Sequence, residues 1–334
     1  MKAVKRLHCK KEPRQLANIQ AFPGAEWDDA LLRQDGHILQ SSAWLRVQRA
    51  LGHAVLWSQG DGWQWGGAVR AGVFPRYLYL PYGPSGGGAT RMALEDAIRA
   101  AGSEGVDFVR VEPTGRDARD ALRALDALAV KAVQPRCTWV LDLSVSEEEL
   151  RRGLESGHRS RINAAERRGI TIRSTREPGQ VAIFLALQRA AAERNAFTGQ
   201  SDAYHHTVAD VLMPRGAARL YVAEASGTPV AASIAFDFGA TRYYAHSVSD
   251  PLRGRQLGAG PPLLWRMILD ARERGATTFD FWGVLCSDKP DHPWSGFSRF
   301  KRAFGGRLVE RAGTWEMPLH RLRHHAFTLL RRAR

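Results

Sequence analysis

Residues Thr277–Phe304 read TTFDFWGVLCSDKPDHPWSGFSRFKRAF. Phe279 and Phe281 alternate around Asp280, with Trp282 following, which predicts a β-strand that Gly283 ends. A polar loop rich in Pro, Asp and Ser then leads to Phe300-Lys301-x-x-Phe304 and Gly305-Gly306. A lysine set between two aromatics after such a loop can stabilise a developing negative charge or grip a phosphate. The spacing equally fits an i,i+4 aromatic core pair, Phe300 with Phe304, beside a merely exposed Lys301.

Upstream of this stretch, residues 261–275 predict a helix with Pro261 or Pro262 in its first turn. Before it, residues 219–250 predict three antiparallel strands turning at Gly227 and Gly239. Helices are expected over 181–197 and 207–213, and a strand at ITIR, 170–173. Arg151 to Arg168 form a dense cationic face on a helix interrupted near Gly157, introduced by a Ser146/Glu149 capping pattern. Downstream, ERAGTWEMPL predicts one more strand, and HRLRHHAFTLLRRAR a short basic amphipathic helix. The first half alternates strand and helix around a mixed sheet. It runs from the helix Ser41–Leu51, through two strands turning at Gly60–Gly62, to the strand RYLYL, the helix 92–105, the strand VDFVRVEP, a helix over 117–133 and the strand CTWVLDLS.

A chain of 334 residues, 44% hydrophobic and 25% charged, has room for two soluble domains with sizeable cores. No apolar run is long enough to span a membrane, and the basic N-terminus lacks the apolar core of a secretory signal. A cytoplasmic protein is expected. Cys9, Cys137 and Cys286 read as isolated thiols of a reducing compartment, against a disulfide framework or a zinc ribbon. The net charge of +14 points to an anionic partner: nucleic acid, a phosphorylated metabolite or an anionic membrane face.

P-loop and HExxH motifs are absent from the sequence. Asp288, Asp291 and His292 lack a further clear ligand, so no metal is expected. So few conventional catalytic groups suggest an electrophile that arrives already activated. Arg255-x-x-Gly258-x-Gly260 opens a helix and resembles the coenzyme A pyrophosphate loop of GCN5-related N-acyltransferases, where backbone N–H groups hold an anion. An acyl-CoA-dependent N-acyltransferase acting on a sugar or amine is therefore one reading, and a basic RNA-binding protein is another.

A wider resemblance runs through LQSSAWLRVQRALG, LPYGP, FVRVEP, TWVLDLS, HRSRINAAERRGITI, YYAHSVSD, GATTFDFWGV and FSRFKRAFGG. Their order and spacing resemble the FemABX family of peptidoglycan cross-bridge aminoacyltransferases, in its compact form without a coiled-coil arm. The resemblance implies an α/β (α+β) fold of two packed GNAT-like domains, each a mixed sheet flanked by helices. Residues 1–143 with 317–334 would form the first, precursor-binding domain, and 144–316 the second. The implied reaction moves an amino acid from aminoacyl-tRNA to the side-chain amine of residue three of a stem peptide. The acceptor would be a UDP-linked or lipid-linked muropeptide precursor. Aminoacyl-tRNA is then a co-substrate, no cofactor is needed, and a monomer is expected.

The same resemblance assigns roles. Lys301, matching the lysine of the family's Phe-Lys-x-x-Phe motif, would stabilise the tetrahedral oxyanion. Glu112 would hold the attacking ammonium or take its proton, although a plain salt bridge also fits. Arg46 falls at a phosphate-binding position. Tyr204 and Tyr244 match tyrosines near the peptide substrate, or are packing residues. Trp282 and Phe304 would contact substrate. Gln200 stands where compact members carry a second phosphate-gripping arginine, and Arg194 is the compensating candidate. Arg159, Arg161, Arg167 and Arg168, with the basic C-terminus, suit tRNA phosphates, or an anionic inner membrane face met peripherally.

Overall fold

The computed structural model describes residues 22–71, 74–115, 118–195 and 199–332; Cys9 lies outside them. The chain opens with α1 (Ala25–Arg33) and α2 (Ser42–Ala50), the latter capped by the Ser41 hydroxyl accepting from Trp44 N–H. A meander of β1 (Ala54–Gly60), β2 (Trp63–Ala71) and β3 (Arg76–Leu80) follows. α3 (Thr90–Ser103) crosses over to β4 (Phe108–Val111), which lies parallel to β3. Residues 117–133 are not one helix. α4 (Ala118–Ala124) stops early, Asp126 takes a left-handed φ of 53°, and β5 (Leu128–Val130) begins.

β6 (Cys137–Asp142) leads into α5 (Glu147–Gly153), whose Ser146–Glu149 capping box forms as expected, and α6 (Ser156–Asn163). β7 (Ile170–Thr175), α7 (Val181–Asn195) and α8 (Asp202–Leu212) come next. A second meander of β8 (Ala218–Ala225), β9 (Thr228–Phe238) and β10 (Thr241–Ser249) follows. α9 (Arg253–Leu257) and α10 (Gly260–Glu273) cross over to β11 (Thr278–Val284), parallel to β10. The chain closes with α11 (Ser295–Arg302), β12 (Arg307–Glu310), β13 (Thr314–Pro318) and α12 (Arg321–Arg332).

Two sheets result, ordered β1-β2-β3-β4-β13-β5 and β12-β6-β11-β10-β9-β8-β7. Each contains a meander followed by a parallel helix crossover, so the two halves repeat a topology without a visible sequence repeat. The strands at the junction are exchanged. β6, placed by sequence with the first domain, pairs in the second sheet with β11 and β12. β13 returns to the first sheet three residues before the expected resumption at 317, pairing with β4 and β5. β12 was not expected at all.

Burial explains the join. One core lies beneath the first sheet around Trp65, Leu78, Leu94 and Val109, and another between α10 and the second sheet around Phe279, Phe281 and Met267. A third packs α7 and α8 onto the opposite face of the second sheet and also takes in Leu39, Trp44, Val47 and Tyr82 from the first half. The two units therefore share apolar burial.

The expectation of three free thiols is corrected. Cys137 and Cys286 form a disulfide, Sγ–Sγ 2.07 Å, across 149 residues of chain. The β6–β11 register pairs Cys137 with Val284, so Cys286 emerges two residues beyond. That adjacency exists only once the sheet is assembled.

Candidate active site

β11 and α11 build the centre. Phe279 and Phe281 point into the core, as their alternation predicts, and Asp280 faces the other way. Asp280 Oδ1 accepts the Trp282 N–H at 2.7 Å and the Thr138 hydroxyl, and Oδ2 accepts from Arg311 at 3.2 Å. Trp282 sits at φ +62°, and the β11–β6 register slips between Asp280 and Gly283. A bulky residue at positive φ is strained, and the Asp280 acceptor helps hold it there. The bulge turns the Gly283 carbonyl toward α11, where Lys301 Nζ donates to it at 2.7 Å. Gly283 must be glycine: a Cβ would lie 2.4 Å from Pro135.

Lys301 is 7% exposed, not free on the surface. Its Nζ lies 4.6 Å from the Phe297 ring centroid and 5.6 Å from that of Tyr244. Burial pushes its pKa down to about 7, with the Asp280 charge opposing that shift. Such a lysine changes charge near neutrality, and its ammonium is a strong donor in a dry site.

Beside it opens a cleft of about 710 Å³. Tyr244 and Ser247 of β10, His158 and Arg161 of α6, Arg255 and Gly258 of the α9–α10 turn, and Arg299 and Phe300 of α11 line it. Tyr244 connects cleft and lysine, and burial raises its phenol pKa despite bonds with Ser247 and Ser233. Phe300, rather than Phe304, reaches the cleft. Phe304 is a correction: it is 1% exposed and packs on Phe281, Phe300 and His158 in the core, so it cannot touch substrate.

The glycine-rich turn is also corrected. Gly258 N–H bonds to the Arg255 carbonyl and Ala259 N–H to that of Gly254. Pro261 and Pro262, at the start of α10, have no N–H. Most of the amides that would cradle a pyrophosphate are therefore spent or missing. Arg161 instead lies over the turn, with its Cδ 3.0 Å from where a Gly258 Cβ would stand.

Of the four arginines expected to meet tRNA, Arg161 lines the cleft. Arg159 donates to the Arg152 and Leu154 carbonyls and Arg168 to that of Leu257, while Arg167 is exposed on the turn after α6. The second half thus brings Lys301, Tyr244 and Arg161 together.

The remaining expected residues lie elsewhere. Glu112 is corrected as a catalytic candidate. Its Oε1 accepts from Val133 N–H (3.2 Å), Gln134 N–H (2.8 Å) and the Thr314 hydroxyl (2.5 Å), and its Oε2 from Tyr79 (2.5 Å). Glu112 is buried, and its four bonded donors commit the carboxylate to holding the structure together. The salt-bridge alternative fails too, since Arg110 pairs with Glu316. Arg46 stacks on Phe22 at 4.4 Å and donates weakly to the Pro23 carbonyl. Arg194 is exposed on the last turn of α7, and Gln200 lines a separate cavity of about 280 Å³.

Trp282 and Tyr204 mark groups that sequence reasoning missed. Trp282 packs with His37, Tyr82 and Tyr243 in a buried aromatic cluster between the halves, with Arg311 over Tyr82. Burial and the Arg311 charge hold the His37 pKa well below the usual imidazole value. Tyr204 OH lies 3.1 Å from His246 Nε2, and the His246 and His205 rings meet edge to face. Burial lowers these histidines to about 3 and about 4. His205 and His246 line the cavity of Gln200. The alternating FDFW pattern could have singled out Asp280; nothing local marks His37 or His246.

The acetyltransferase (GNAT) domain family matches residues 152–302, which hold the cleft and Lys301. The lipid II:glycine glycyltransferase of Staphylococcus saprophyticus is 22% identical over 305 residues, covering 70% of this chain and 73% of its own length. That of Staphylococcus epidermidis is 22% identical over 260 residues, and the match spans 62% of its length, a little under two thirds. The crystal structure of FemX superposes with a TM-score of 0.80 at 19% identity, over 90% of this chain and 97% of that one. The C-terminal domain of a putative lysylphosphatidylglycerol synthetase from Agrobacterium fabrum follows with a TM-score of 0.63 at 15% identity, over 90% of this chain and 93% of that one. With its two GNAT-like sheets and these matches, the chain is similar to the aminoacyltransferases of the FemABX family.

Proposed function

We propose that the protein transfers an amino acid from aminoacyl-tRNA to the side-chain amine of residue three of a peptidoglycan stem peptide, on a lipid-linked precursor. The observation that carries this reading is Lys301, a buried lysine of near-neutral pKa beside Tyr244 at the edge of an arginine-lined cleft. In this reading the cleft takes the 3′ end of the tRNA, with Arg161 and Arg255 near phosphate. The acceptor amine attacks the ester carbonyl. A C–N bond forms as the carbonyl pair moves to oxygen, and the Lys301 ammonium stabilises that oxyanion. The C–O bond to the ribose then breaks, and the proton lost by the amine ends on the departing ribose hydroxyl. The lipid-linked form follows the lipid II named for the relatives. The acyl-CoA alternative loses support from the spent amides of the α9–α10 turn.

The test is a transfer assay with tRNA charged with labelled amino acids and both nucleotide-linked and lipid-linked precursors. Label on the lipid-linked form is expected. Label on neither form, together with consumption of acyl-CoA in the presence of an amine, overturns the reading.

A further inference from the structure

The twelve residues of α12 carry two opposite faces. The inner face is anchored. His324 bonds Glu316 at 2.6 Å, Arg331 reaches the same carboxylate at 3.5 Å, and Phe327 stacks on Phe108 with centroids 5.6 Å apart. At about 100° per residue, Leu322, Ala326, Leu329 and Leu330 fall together on the side away from His324 and Arg331. Leu322 is 88% exposed, Leu329 53% and Leu330 60%. Phe74, 38% exposed, meets Phe327 edge to face and extends the apolar surface. Arg321 and Arg323 flank the leucines on either side, Arg323 also donating to Asp107 at 3.0 Å while its side chain stays 65% exposed, and residues 319–334 include no Asp or Glu.

We propose that this face docks the protein on an anionic phospholipid surface. The chemistry is that of an interfacial helix: leucines enter the headgroup–acyl boundary while arginines meet lipid phosphates. RNA would engage the arginines but gain nothing from the leucines. A second copy would bring like charges together. Residues 1–21 hold six Lys or Arg and one Glu, so their charge does not complement the face either. The proposal deepens the lipid-linked acceptor reading above, since docking would bring the cleft to a membrane-held substrate.

The experiment is co-sedimentation of the full chain with phosphatidylcholine vesicles, with and without phosphatidylglycerol. It compares wild type, Leu322→Ser, and the triple variant Leu322→Ser/Leu329→Ser/Leu330→Ser. Wild type should bind phosphatidylglycerol vesicles with an affinity that falls with salt. The triple variant should lose at least about tenfold in partitioning, and the single variant a smaller part. Leu322 is too exposed to matter for folding, so the single variant keeps the test valid if the triple one is unstable. Equal binding by all three proteins, or none by wild type, overturns the proposal. So does a dimer or a tRNA complex that the substitutions abolish while vesicle binding is untouched. Transfer to a water-soluble acceptor should survive in Leu322→Ser. Its failure in wild type would count against the transfer reaction and leave docking intact.

Discussion

Lys301 illustrates how a residue's meaning depends on burial. The sequence offered a catalytic cation or an exposed bystander beside two core aromatics. The structure keeps part of each: Phe304 is core, Phe300 lines the cleft, and Lys301 is buried with its proton bound weakly. Lys301→Met should lower kcat about 100- to 1000-fold, as loss of an oxyanion donor does. It should not destabilise the fold, because it removes a buried cation. The pH dependence has a definite sign. Between about 7 and the ordinary 10.5, the unfolded chain holds a proton on Lys301 that the folded chain lacks. Wild-type stability therefore rises through that window, and Lys301→Met should flatten this contribution in urea titrations at pH 7 and 9. kcat/KM of wild type should descend as pH rises through about 7, and the variant's residual rate should not. Glu112 behaves oppositely. Glu112→Leu strips four donors of their acceptor and should cost about 3 kcal/mol in stability. In the folded fraction, transfer should stay within about threefold of wild type, since the carboxylate acts on structure alone.

At the scale of elements, the bulge in β11 decides the site. Trp282 at positive φ and the Gly283 carbonyl aimed at Lys301 both depend on Asp280. Asp280→Ala would also leave Arg311, 11% exposed at its side chain, without its carboxylate. The expected loss is about 3–5 kcal/mol of stability by chemical denaturation, with much of the transfer activity. The disulfide binds this element to β6 just before the α11 loop. Thiol titration of the unfolded, unreduced protein should find one thiol per chain, Cys9, and three after reduction, since the chain has three cysteines and one bridge. Three thiols before reduction would show the bridge unformed. Alternation and capping made most strands and helices readable. The exceptions have causes. β5 hides in an alanine-rich run with helical composition, and β12 is a short, largely exposed edge strand.

At the scale of the whole molecule, the two halves are interlaced. β6 pairs away from the half in which the sequence places it, β13 joins the first sheet earlier than expected, and the third core belongs to both halves. The domain boundary at 143 was therefore not legible, because a strand's apolar pattern states that it is buried and not which sheet buries it. The sequence by itself determined most of the element order, the α/β class, the resemblance of its ordered motifs to a family, and Lys301 as the residue to watch. All of these rest on local periodicity, capping and spacing along the chain. The tertiary structure alone decided that Glu112 is buried and held by four donors, that most of the α9–α10 amides are spent, that Cys137 meets Cys286, and that Asp280, Trp282 and Lys301 form one unit. Each of those is a contact between residues distant in sequence. Burial, hydrogen-bond saturation and desolvation arise only when such distant segments exclude water from one another.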